Sequence, residues 1–326
     1  MIIARIVLWV LIVAPFFVCA KTVQPDSLSS DGDSEYHDIG CFQRPKFFEI
    51  SYRTLPSINA YPAEYLSGDE EFESNRLLEM KLSIPFVMKD NFRLIGQLRY
   101  KNEILNLGEN DFYERKIKLN NAGFTLAYQW FYQDSKYIAG HASGSFKSDE
   151  YKFERMSSIL DYNSSFVWGM KNGEKNFGIG VLLGNSFGRF RIAPLLIYEN
   201  QLSEKWHLKM KLPKELTLTH AIIPDNFYLK GTIEGNAAAY FLNNPIDEFS
   251  NIEYRRSAVD LKLGLEKEIK DFIWVGMDVG ITQPINSVLV EPGKASRFNV
   301  HDFNHQFTPF VNFSLFAVPP RSLYKK

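Results

Sequence analysis

His141-Ala142-Ser143-Gly144-Ser145 is the stretch whose residue types and spacing fit a reaction. In an extended strand His141 and Ser143, two apart, project to the same face, and a neighbouring imidazole can take the proton of a serine hydroxyl, the minimum for acyl transfer. The sequence assigns no third group to orient the histidine. Read blandly, the same stretch is a set of small polar residues lining a wet wall. Other constellations carry less. Asp69, Glu70, Glu71 and Glu73 form an acidic loop without the ordered ligand spacing of a calcium loop. His301 and His305 are four apart but lie in a loop context, not a zinc helix. Gly178, Gly180 and Gly184 precede no helix and make no phosphate cradle. No metal and no cofactor is expected.

The elements that must position these residues show period two. From Asn91 to Lys101, Phe92, Leu94, Gly96, Leu98 and Tyr100 share one face while Arg93, Gln97, Arg99 and Lys101 share the other. At Lys205 to Leu212, Trp206, Leu208, Met210 and Leu212 oppose His207, Lys209 and Lys211. The pattern recurs at Phe227 to Asn236, at Val259 to Glu266 and at Ile273 to Thr282. After the first 20 residues every apolar run is broken well before the ~20 residues that a spanning helix needs.

Composition narrows the class. The 326 residues are 45% hydrophobic and 15% aromatic, with 37 basic against 38 acidic residues, which excludes disorder and leaves no basic footprint for nucleic acid. The 27 Phe and 16 Tyr, set against a slightly negative mean hydropathy, call for an apolar surface that alternates with a polar one. Residues 1–20 read as a secretory signal peptide: Arg5, an apolar run from Ile6 to Phe17, then Val18-Cys19-Ala20. Its removal leaves Cys41 alone, so no internal disulfide is expected. Residues 21–45 read as a flexible polar periplasmic leader, able to enter the barrel as a plug, residues 46–320 as a β-barrel and 321–326 as a C-terminal tail.

Periodicity alone does not distinguish a soluble sandwich from a membrane barrel with its polarity inverted. Connection lengths do. Long ones run through Leu55–Asn75, Glu103–Lys116, Ser148–Ser158, Leu242–Glu253 and Pro284–His305, whereas tight ones lie at Met88–Asp90, Gln133–Ser135, Asn172–Glu174, Pro224-Asp225 and Glu268–Lys270. Outer-membrane barrels pair short periplasmic turns with long outer loops. Both termini fall on the periplasmic side only with an even strand number. The expectation is an all-β, antiparallel transmembrane barrel of about 14 strands, or 12 if the short pair around Pro213-Lys214 does not span. Rings gather towards strand ends, among them Phe47, Phe48, Tyr100, Trp130, Phe131, Tyr132, Tyr198, Trp206, Phe227, Tyr240, Phe241 and Trp274, as in interfacial girdles.

The polar faces then define a lumen. Arg53, Lys81, Arg93, Arg99, Lys101, Lys209, Lys211, Lys230 and Lys262 outnumber Glu49, Glu79, Glu234, Asp260, Glu266 and Asp278. An open lumen with this excess favours anions; the alternative is that the charges pair across a filled interior.

Two resemblances bear on this reading. The segment from Trp206 through Pro213 to Leu216, running on to Gly231 and Tyr240, resembles an uncharacterised family of outer-membrane β-barrel proteins of Gram-negative bacteria, a domain of unknown function. The ending Phe310 to Pro320 is similar to that family's last strand, and the resemblance spans roughly Phe47 to Pro320. It implies location in the outer membrane and architecture, and carries no site. Separately, His141 and Ser143 resemble the His-x-Ser pair on the barrel wall of outer-membrane phospholipases and lipid A deacylases, although Gly144-Ser145 follows here where those enzymes commonly continue Asn-Gly. Expected partners are outer-membrane lipid, lipopolysaccharide and the barrel-insertion machinery, which reads a last strand such as Val311 to Leu315. The tail beyond Phe316 departs from barrels that end on the aromatic. Oligomeric state is not legible. A pore or small-solute transporter, a structural or surface-binding barrel, and a lipid acyl hydrolase through His141 and Ser143 are the three functional classes that remain.

Overall fold

Alternating sequences pair into one antiparallel sheet. The computed structural model describes residues 46–55, 75–106, 116–133, 135–150, 159–186, 189–246, 249–292, 294, 299–302 and 307–319. The leader, the acidic loop at 67–73, His305 and the final tail lie outside the described residues. The strands are β1 (Phe48–Leu55), β2 (Asn75–Met88), β3 (Phe92–Asn106), β4 (Lys116–Phe131), β5 (Lys136–Ser148), β6 (Leu160–Asn172), β7 (Lys175–Ser186) and β8 (Arg189–Ser203). They continue as β9 (Trp206–Leu212), β10 (Glu215–Ile223), β11 (Phe227–Ile246), β12 (Phe249–Lys270), β13 (Ile273–Val290), β14 (Asn299–Asp302) and β15 (Thr308–Ala317).

Each strand pairs with its sequence neighbour from β1 to β13, and β15 joins β13 to β1. The short β14 pairs only with the outer end of β13 among the described residues. Fourteen strands therefore close a barrel. The two short strands stay separate, as the even count requires. Both described ends sit together, with Phe48 opposite Ala317, at the end that carries the tight turns.

Polarity is inverted relative to a soluble core. Outward positions carry large apolar side chains left exposed, such as Ile192 at 65%, Leu263 at 61% and Phe166 at 48%, whereas inward positions carry the charges. Lipid is the medium that makes such a wall stable, because the ladder closes and, among the described residues, leaves an open edge only above the short β9–β10 pair, on β8 before Leu196. At the periplasmic rim Trp130 and Tyr132 lie 6.0 Å apart, and the Trp168 indole N–H donates to the Tyr132 hydroxyl at 2.8 Å. Tyr100, near the outer rim, donates to Asn120 at 3.1 Å. These rings put an apolar body in lipid and a polar tip at the interface.

The wall is uneven. The β9–β10 turn ends at Pro213-Lys214, so pairing of β8 with β9 begins only at Leu196, opposite Leu212. Likewise β10 accompanies β11 only as far as Glu234, opposite Glu215. Beyond Gly235, whose N–H donates to the Lys214 carbonyl at 2.8 Å, the small residues Ala237, Ala238 and Ala239 carry β11 away from the wall. It reaches the end of β5, where Phe241 pairs in parallel with Ser148. There the Ser148 hydroxyl donates to the Phe241 carbonyl at 2.8 Å, and the Asp149 carboxylate accepts from the Asn243 N–H at 3.0 Å.

This rearrangement revises several boundaries. Leu242–Glu253 is almost entirely strand, forming the outer end of a long β11–β12 hairpin. Pro284 to Val290 continues β13, and Ile269 lies inside β12, with the turn at Asp271-Phe272. Around Tyr240 to Leu242 both faces of the hairpin are covered by protein.

Candidate functional site

The inward faces of β1–β3, β9–β13 and β15 enclose a cavity of about 660 Å³. Ten basic residues line it (Lys46, Arg53, Lys81, Arg99, Lys101, Lys209, Lys214, Lys230, Arg256 and Lys262), against eight acidic ones (Glu49, Glu79, Glu103, Glu215, Glu234, Asp260, Glu266 and Asp278). Register places them in tiers: Glu49 opposes Lys81, which opposes Arg99, while Glu79 opposes Lys101.

Nearly all of these charges are paired. Lys46 bridges Glu49 at 2.7 Å and Glu266 at 3.2 Å, and Lys230 also pairs with Glu266. Arg99 meets Glu79 at 2.6 Å, Lys262 meets Glu234 at 2.7 Å, and Lys209 meets Glu215 at 3.2 Å. Arg53 crosses to Asp260 at 2.7 Å and donates to Thr282 at 2.5 Å, and its guanidinium lies 3.5 Å over the Phe310 ring. Asp260 also accepts from Asn236 at 2.7 Å and Thr282 at 2.8 Å. At the outer tier Arg256 grips both oxygens of Glu103, at 2.5 and 3.0 Å. Burial works against the Lys46 ammonium at the periplasmic rim, but Glu266 and Glu49 outweigh it and hold its pKa above the ordinary lysine value.

Rings and aliphatic groups gather at both ends. On the outer side Leu119 of β4, Tyr240 and Leu242 of β11, Ile252 and Tyr254 of β12 and Leu289 of β13 form a buried cluster beneath the crossing hairpin. On its other face Phe241 and Ala239 pack with Ile159 and Phe146. On the periplasmic side Trp274 stacks on Tyr228 at 5.5 Å and on Phe316 at 6.1 Å, with interplanar angles of 8° and 19°. Tyr240, Phe241 and Trp274 thus belong to these buried clusters and not to the lipid-facing girdles. Their strand-end position fixes their height, but parity with Asp278 turns Trp274 inward.

Of the basic residues read from alternation, Arg53, Lys81, Arg99, Lys101, Lys209, Lys230 and Lys262 line the cavity. Arg93 lies apart from it, its guanidinium 5.9 Å from the centre of the Phe131 ring. Lys211 shares the inward face of β9 with Lys209 but does not line the cavity; its charge and that of Lys214 are felt at His141. Sequence reasoning missed Lys46, Glu103, Lys214, Glu215 and Arg256. Glu103 fell in an expected loop, whereas extending the parity of Asp260 and Ala258 points Arg256 inward.

The second polar cluster sits on the inner faces of β5 and β6. His141 opposes Ser165, and Ser143 opposes Asn163. The Ser165 hydroxyl is 2.6 Å from His141 Nδ1, and His141 Nε2 is 3.0 Å from Asn163 Oδ1. Ser143 turns away, its hydroxyl 3.5 Å from the Asn163 backbone carbonyl. The structure therefore does not bring Ser143 to the imidazole. Among the described residues no group of three or more His, Cys, Asp or Glu side chains is arranged to hold a metal ion.

A closed antiparallel wall that is apolar outside and charged within defines an outer-membrane β-barrel protein. The chain belongs to the family described as a domain of unknown function (DUF6268), which matches residues 109–315. No curated protein matches the sequence. Among solved structures, an outer-membrane channel from Pseudomonas putida F1 is similar at 8% identity, covering 90% of this chain and 100% of that one with a TM-score of 0.41. The TodX monoaromatic hydrocarbon channel is similar at 8% identity over 84% and 89% of the two chains, with a TM-score of 0.41. LpxR from Salmonella typhimurium is similar at 4% identity over 83% and 100%, with a TM-score of 0.36.

Proposed function

We propose that the protein is a gated passage for small polar solutes, favouring anions, across the outer membrane. The observation that carries this reading is the 660 Å³ polar cavity, whose lining holds two more basic than acidic residues. Its closures are side-chain clusters on a crossing hairpin and a ring stack rather than the wall itself. Opening on the outer side needs only side-chain movement in that cluster, because β12 stays laddered to β13 as far as Glu253 and β11 stays bridged to β5 at Phe241. Fixed positive charge in a low-dielectric passage raises the local concentration of anions. The apolar belt implies lipid and lipopolysaccharide as surroundings. The outward Val311, Phe313 and Leu315 of β15 form the last-strand pattern that the insertion machinery reads.

Planar-bilayer recording of the refolded barrel tests this. The native chain is expected to show rare, small openings, and Tyr240→Ala with Leu242→Ala is expected to raise open time and conductance with anion preference. A heat-dependent gel shift verifies that each barrel is folded. Cation preference, or no current from the folded double variant, overturns the reading. The competing reading, a structural or surface-binding barrel without a pore, is favoured by the ion pairs made by nine of the ten basic lining residues, and it requires that silent outcome.

A further inference from the structure

We propose that Ser165, His141 and Asn163 form an ester-hydrolysing site on the inner wall of β5 and β6, taking carboxylic esters that carry a negative charge. The argument is independent of conductance. An amide oxygen only accepts hydrogen bonds, so Asn163 Oδ1, 3.0 Å from Nε2, requires the imidazole proton to sit on Nε2. Nδ1 then holds the lone pair, and the Ser165 hydroxyl at 2.6 Å donates to it. That is the polarity general-base activation of a serine requires: hydroxyl to base, and base held in its tautomer by a third group.

The register enforces this arrangement. His141 and Ser165 are directly opposed across β5 and β6, and Asn163 lies two residues further along the same face. The close approach of the strands is protected by Gly140, where an added Cβ would stand 2.6 Å from the Ser165 carbonyl oxygen. All three side chains are half-buried on the inward face of the wall. Lys211, on the inward face of β9, and Lys214, in the turn that follows it, are positive charges felt at His141, and we assign them the attraction of an anionic ester.

In the reaction Ser165 Oγ bonds to the ester carbonyl carbon as its proton passes to His141 Nδ1. Collapse of the tetrahedral adduct breaks the bond to the alcohol oxygen, which takes the proton back from His141 and leaves. Water then attacks the acyl-serine, losing a proton to His141 and returning it to Ser165 Oγ as the carboxylic acid departs. Asn163 is a positioning residue throughout.

The test uses the full refolded barrel, checked by its heat-dependent gel shift. It combines a fluorophosphonate probe, mapped by mass spectrometry, with hydrolysis of anionic para-nitrophenyl succinate and neutral para-nitrophenyl butyrate. The adduct is expected on Ser165, absent in Ser165→Ala and retained in Ser143→Ala. His141→Ala is expected to slow turnover by about a thousandfold, the scale of a lost general base. Asn163→Ala should lower kcat, and Asn163→Asp, which still accepts from Nε2–H, should restore it. The succinate should turn over faster than the butyrate, a preference lost when Lys211 and Lys214 are both replaced by Met. No adduct on the folded native barrel, an adduct on Ser143, or hydrolysis surviving Ser165→Ala overturns the site. Equal rates for the two esters overturn its anionic preference.

Discussion

Arg53→Met isolates the energetics of the charged interior. Asp260 has a side chain only 2% exposed and meets Arg53 at 2.7 Å. Taking a charge separation of about 4 Å and an effective dielectric constant of about 20, the attraction is about 4 kcal/mol. Asp260 keeps its hydrogen bonds from Asn236 and Thr282, and water can enter the cavity, so the expected net loss is about 2–3 kcal/mol. Replacing Asp260 by Asn in the same chain removes the stranded charge. It should recover roughly half of the loss, since the contact of Arg53 with Phe310 is not restored; the coupling energy, which is that recovery plus the cost of Asp260→Asn alone, should exceed about 1.5 kcal/mol. Urea titrations of the barrel in vesicles, followed by unheated gel mobility and by the fluorescence of Trp130, Trp168, Trp206 and Trp274, measure all four chains of the cycle. A single variant within about 0.5 kcal/mol of the native chain, or strictly additive single effects, would refute the assignment of this pair as a structural tie across the lumen.

Three further outcomes follow from the same structure. Leu263→Arg on the lipid face, a position 61% exposed, should cost about 2–4 kcal/mol in a bilayer, read from the urea midpoint in vesicles. Trp274→Ala should cost about 3 kcal/mol by removing the stacked floor, again read as a midpoint shift at unchanged slope. The pKa of Lys46 lies above 10.5, so its stabilisation is fully present below the unfolded value and is lost only above it. Lys46→Met should therefore destabilise equally at about pH 6 and pH 9, and a cost that vanishes by pH 9 would contradict this.

Legibility in the sequence tracked whether one face met lipid. Where it did, as in Phe92 to Tyr100 or Trp206 to Leu212, period two marked the strand and the inward charges together. Around Tyr240-Phe241-Leu242 both faces are covered by protein, one by Leu119 and Tyr254 and the other by Ile159 and Phe146. Alternation disappears there, and a crossing hairpin reads as a loop. The His141 site failed for a different reason. A same-strand partner such as Ser143 is visible from spacing, whereas Ser165 and Asn163 come from the next strand. Their register depends on the connection through 149–158, whose length alone does not set the pairing. Sequence could offer a histidine and a serine on one face, and only pairing could show that the neighbouring strand supplies the hydroxyl.

The low flank formed by β9 and β10 has a consequence for the membrane itself. Seven residues of β9 at about 3.4 Å each reach roughly 24 Å, and a tilt of about 40° reduces this to roughly 18 Å along the normal, against an apolar band of about 25 Å. The bilayer therefore thins against this side and keeps its full thickness around β2 to β4. Such hydrophobic mismatch gives the barrel a preferred direction in the membrane plane, towards which thin lipid, or a neighbour with an equally low flank, is drawn.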